Sequence, residues 1–125
     1  MKNKIILIFI FFIAVLFRWW LISNNQIYFW YDQARDAHVA QQIFLEHDLK
    51  IQGPSASGTN DTIYHGVIYY YFIGALYIIF SGNPFLVSMV LGLINSFAVF
   101  LIYFLIKKVF KNNKLALSGA FLLAI

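Results

Sequence analysis

Hydrophobic residues make up 62% of this 125-residue chain and charged residues 11%, and the mean hydropathy of +0.75 excludes an ordinary soluble domain. Cysteine is absent, which excludes disulfide scaffolds and thiolate chemistry and leaves the redox compartment unread. The net charge of +4 is unevenly placed: all five acidic residues and all three histidines lie between Gln26 and Gly66, whereas Lys107, Lys108, Lys111 and Lys114 cluster between two apolar runs, a pattern that tracks lipid headgroups rather than nucleic acid.

The first element is a helix expected over 5–22, apolar apart from Arg18 and long enough to cross a bilayer. Lys2 and Lys4 ahead of it, with no small-residue cleavage site behind it, read as an uncleaved signal anchor. Trp19 and Trp20, with a snorkelling Arg18, mark the interface. A loop region follows over 23–64, carrying a surface helix at about 32–46 in which Asp32 caps the first turn and Ala37, Ala40 and Phe44 recur at helical spacing. Gly53, Pro54, Ser55, Ser57, Gly58, Thr59 and Asn60 read as loop.

Apolar character returns in a helix at about 63–80, breaks at Ser81-Gly82-Asn83-Pro84 and resumes at about 85–106. The run over 115–125 is too short to cross by itself and reads as the start of a fourth helix in a longer protein, of which this is the N-terminal part. The expected fold is therefore an all-α membrane protein, a transmembrane helix bundle with a surface helix in its first external loop. Orientation is contested. If the N-terminus is cytoplasmic and the second and third helices both span, the lysines at 107–114 fall outside, against the positive-inside bias; a helix lying partly in the interface would put both basic ends inside.

Asp32 and Asp36 stand one helical turn apart on a shared face, with Arg35 in reach of Asp32 at the i, i+3 spacing. A carboxylate beside a low-dielectric boundary can act as a general base or bind a cation or sugar hydroxyls, whereas the plainer reading makes Asp32 a helix cap and lets Asp36 favour the positive helix end. Spacing alone favours the cap. The histidines and aspartates lack any recognised metal-ligand spacing, so no metal site is predicted, although a divalent ion shared with a phosphorylated ligand would need fewer protein ligands. His65, followed by Tyr69, Tyr70 and Tyr71, suits an anionic headgroup at the mouth of the next helix, or else belongs to an aromatic belt. Asn60-Asp61-Thr62 fits a glycosylation sequon, and Gly53-Pro54-Ser55 is not a phosphate loop.

A signal anchor, the segment Trp30-Tyr31-Asp32-Gln33-Ala34-Arg35-Asp36-Ala37, a surface helix, a Gly/Pro loop and His65 ahead of Tyr69-Tyr70 follow one another in an order that resembles the GT-C integral membrane glycosyltransferases. Within them the chain is similar to the branch of protein O-mannosyltransferases and lipid A aminoarabinose transferases. The resemblance implies that Asp32 is the catalytic base, that Arg35 occupies a commonly basic position, and that His65 is the basic residue that contacts the lipid phosphate, with Asp36 and Tyr69 beside the substrate. Gln33 stands where Glu is frequent and Asp36 where an aromatic is frequent, and the lost negative charge at Gln33 speaks against a metal-assisted variant.

The implied reaction transfers a sugar from a polyprenyl-phosphate donor to a protein or glycolipid acceptor at the outer face of the cytoplasmic membrane, by a multi-pass protein with no nucleic-acid partner. The 125 residues alone are expected to be inactive. The alternative is a non-catalytic membrane protein, a transporter segment or a lipid-phosphate binding scaffold.

Overall fold

The computed structural model describes residues 2–24, 31–56 and 63–125. The described residues are helical apart from turns and one isolated antiparallel bridge, Ser55 to Tyr64, and comprise α1 (Lys2–Ser23), α2 (Tyr31–Leu45), α3 (Val67–Ile79), α4 (Pro84–Ser96), α5 (Ala98–Phe110) and α6 (Asn113–Ala124). Among the described residues two stretches are long and apolar enough to cross a membrane: α1, and the 27 residues of Pro84–Phe110 that join α4 to α5. The chain divides into two compact units, one of residues 1–27 and 88–125, the other of residues 28–87.

In the first unit the core is one seam. Leu7, Ile10 and Ala14 of α1 meet Val99 and Tyr103 of α5 and Ala116, Ala120 and Ala124 of α6, all buried. The three α6 alanines recur every fourth residue, so one face of that helix carries nothing larger than a methyl group and the backbones can approach closely; in a lipid environment such packing replaces the hydrophobic drive available in water. Phe11 adds ring contacts to Phe97 and Phe100, with centroids 4.9 Å and 5.0 Å away.

Helix α5 ends at Lys111, whose left-handed backbone (φ 52°) terminates it, and Asn112 immediately caps α6 by accepting from the Lys114 and Leu115 N–H groups at 2.9 Å and 3.2 Å. The Arg18 guanidinium donates to the carbonyls of Ala14, Leu123 and Ala124 at 3.1–3.3 Å.

The helix expected over 85–106 runs from Pro84 to Phe110 and is interrupted at Phe97. Ser96 is fully buried and donates its hydroxyl to the Gly92 carbonyl at 2.8 Å, while Phe97 N–H and Phe100 N–H bond three residues back, to Ile94 and Phe97. Back-bonding of this kind disturbs the regular ladder and tightens the turn, which apolar periodicity alone does not reveal.

The second unit is built on the pairing of α2 with α3. Helix α3 was expected from about 63 but starts at Val67, since Ile63 to His65 pair with Pro54 to Ala56: Ala56 N–H donates to Ile63 O at 2.8 Å and His65 N–H to Pro54 O at 2.9 Å. Backbone engaged in that extended clasp cannot also turn into helix. At 13 residues α3 reaches about 20 Å, short of a hydrocarbon core of about 30 Å. It closes on a Schellman turn, with Ser81 N–H on Ile78 O and Gly82 N–H on Tyr77 O, both turn residues at positive φ. Asn83 then caps α4 ahead of Pro84, whose missing N–H costs nothing at a first helical position.

Candidate functional site

Helix α2 is described from Tyr31, and Asp32 lies inside its first turn and is not the cap. From the first turn a carboxylate still favours the positive helix end, and here it also meets Arg35. The guanidinium lies 3.2 Å from Asp32 Oδ1 through Nη1, and donates through Nε and Nη2 to Asp36 Oδ1 at 3.1 Å and 2.9 Å. One cation therefore ties two carboxylates of the same face.

The two carboxylates differ in exposure. The Asp32 side chain is 69% exposed, against 17% for Asp36 and 21% for Arg35. The hydrogen bond donated to Asp36 holds the Arg35 guanidinium above its ordinary pKa against the opposing effect of burial, so the charge on which the cluster depends is permanent. Charge-assisted bonds in a half-buried position are worth about 1.5–3 kcal/mol each when made, and more than that is at stake when one partner is left alone. Asp36 is thus a mounted carboxylate, and Asp32 an accessible one.

Facing this cluster from α3 is Tyr70, 2% exposed and within electrostatic reach of both Arg35 and Asp36. Tyr69, the residue expected to contact substrate, is 48% exposed and stacks edge-on against the Tyr70 ring at 5.4 Å. Sequence reasoning missed Tyr70, although Tyr70, Ile73, Gly74 and Tyr77 recur at helical spacing along the seam that faces α2.

Over Tyr70 lies the loop. A Cβ on Gly53 would come within 2.7 Å of both the His65 carbonyl and the Tyr70 ring, and the Gly53 N–H donates to that same carbonyl at 3.0 Å. Tyr71 adds a bond from its hydroxyl to Lys50 O at 3.1 Å. His65 is therefore fixed through its backbone at both N–H and C=O, and its side chain is exposed. The structure brings Asp32, Arg35 and Asp36 into direct contact and sets Tyr69 and Tyr70 beside them, whereas His65 joins the assembly through Gly53 and Pro54.

Along the same α2–α3 seam runs an apolar cavity of about 450 Å³, lined by Ala37, Ala40, Phe44, Gly74, Tyr77 and Ile78 among others. It starts one residue beyond Asp36, and Tyr77 stands both in its wall and within reach of the Asp36 charge. Gly74 makes this close pairing possible, since a Cβ there would lie 2.4 Å from the Phe44 ring. Charged groups next to an apolar recess suit a ligand with a polar and a greasy part. Among the described residues no group of three or more His, Cys, Asp or Glu side chains is placed to hold a metal ion. The sequon at Asn60-Asp61-Thr62 lies outside the described residues. No protein-family model, curated protein or solved structure matches this chain.

Proposed function

We propose that this chain belongs to a multi-pass membrane glycosyltransferase, a transmembrane helix bundle in which Asp32 is the general base for sugar transfer from a polyprenyl-phosphate donor at the outer face of the cytoplasmic membrane. The observation that carries this reading is the division of labour around Arg35. Two of its nitrogens engage Asp36 in a half-buried position, and a third steadies Asp32, whose carboxylate is otherwise open to an incoming acceptor. A general base must be reachable and held in place.

In this scheme Asp32 takes the proton from an acceptor hydroxyl or amine as that atom attacks the anomeric carbon. The sugar–phosphate bond breaks on the opposite side, the electron pair leaves with the lipid phosphate, and the configuration inverts. Arg35 and Asp36, which the resemblance puts beside the substrate, act here as positioning residues because their hydrogen bonds are committed to each other. Positive charge for the departing phosphate then falls to His65. The apolar cavity next to Asp36 offers room for the greasy part of a lipid-linked ligand.

The test is transfer of labelled sugar from a polyprenyl-phosphate donor in membranes holding the intact protein. Asp32→Asn is expected to lower transfer about 10²-fold or more with abundance unchanged. Undiminished transfer by Asp32→Asn rules out the base assignment.

A further inference from the structure

Contacts inside the first unit fix the direction of each of its helices. The Phe11 ring meets Phe97 and Phe100, Leu7 shares a core with Tyr103, and Trp19 Nε1 donates to Met89 O at 3.0 Å, so α1 runs antiparallel to the α4–α5 stretch. The tight turn at Lys111 and Asn112 reverses the chain again, and Arg18 reaches the carbonyls of Leu123 and Ala124, so α6 runs parallel to α1. The start of α1, the end of α5 and the start of α6 therefore share one end of this unit.

That end carries every lysine of the unit. We propose that Lys2, Lys4, Lys107, Lys108, Lys111 and Lys114, drawn from the two ends of the sequence, form one composite site for the headgroups of anionic phospholipids. All six are exposed, and residues 1–27 and 88–125 contain no aspartate or glutamate to neutralise them. Like charges gathered at one end of a helix group repel unless anions sit among them. The helices on which they stand are long enough to bring their ends to headgroup depth.

Lipid fits better than nucleic acid because greasy side chains are interleaved with the lysines. Val109 and Phe110, between Lys108 and Lys111, are 63% and 62% exposed, and Leu115 beside Lys114 is 45% exposed. Such residues favour the acyl boundary while lysine stems reach out to phosphates. Lys107 has an internal contact, with its ammonium 5.7 Å from the Tyr103 ring centroid. The lysine-free end, by contrast, is where the chain leaves at Asn24 and returns at Ser88.

The experiment measures phospholipid retention by the full chain in detergent, using native mass spectrometry and an equal mixture of phosphatidylglycerol and phosphatidylcholine. The wild-type chain is expected to retain phosphatidylglycerol preferentially, with a preference that falls as salt rises from low to high ionic strength. Replacing Lys107, Lys108, Lys111 and Lys114 by Gln is expected to reduce that preference about tenfold, and replacing them by Arg to preserve it. An unselective or salt-independent wild type overturns the proposal, and needs no variant to fold. Equal preference in the Gln variant, or loss in the Arg variant with helix content unchanged by circular dichroism, overturns it as well, as does an RNA gel shift by a chain lacking lipid preference.

Discussion

Asp32 and Asp36 look alike in sequence and differ in what surrounds them. Because Asp36 satisfies two donors of Arg35 in a half-buried place, Asp36→Ala is expected to destabilise the 28–87 unit by about 2 kcal/mol, read as a lowered thermal midpoint, whereas Asp32→Asn should leave that midpoint within error. Gly53 is the second sensitive residue. Gly53→Val must displace backbone at His65 or the Tyr70 ring, so a loss of about 1–3 kcal/mol is expected in urea unfolding, with faster proteolysis of the loop. The i, i+3 contact of Arg35 with Asp32 was legible from spacing, because helical geometry alone sets it. The stronger contact with Asp36 was not, since neighbours in sequence meet only when a side chain folds back under a covering residue such as Tyr70.

At the scale of elements, apolar runs and turn formers located the helices well: α1 covers the expected 5–22 and α2 matches 32–46 to within a residue at each end. The departures have physical sources that periodicity does not encode. Ile63, Tyr64 and His65 look like the start of an apolar helix, yet their backbone groups pair across to Pro54 and Ala56. Phe97 sits in a continuous apolar run, yet the Ser96 hydroxyl competes for the Gly92 carbonyl and breaks the ladder there. Ser96→Ala is accordingly expected to restore regular bonding through 94–100, raising amide protection at Phe97 and Phe100 in hydrogen exchange. The α2–α3 seam makes a complementary prediction. Gly74→Leu should fill the approach between the helices and push Phe44 aside, closing the cavity and weakening retention of any lipid-linked ligand while α1, α5 and α6 keep their protection.

For the molecule as a whole, composition placed the chain among membrane proteins, and two candidate spans accord with that. The linear charge count leaves orientation open, since it turns on whether the helix expected at about 63–80 crosses or lies partly in the interface, and the shared end of α1, α5 and α6 emerges only from their packing. Taken together, the proposed base at the outer face and the proposed lipid site at the inner leaflet predict that residues 34 and 113 are reached from different sides of the membrane. The chain has no cysteine, so single cysteines report without background. The decisive measurement is labelling of Ala34→Cys and Asn113→Cys in intact cells with a membrane-impermeant maleimide. Ala34→Cys should react from outside and Asn113→Cys only after permeabilisation; reaction of both from the same side contradicts the arrangement.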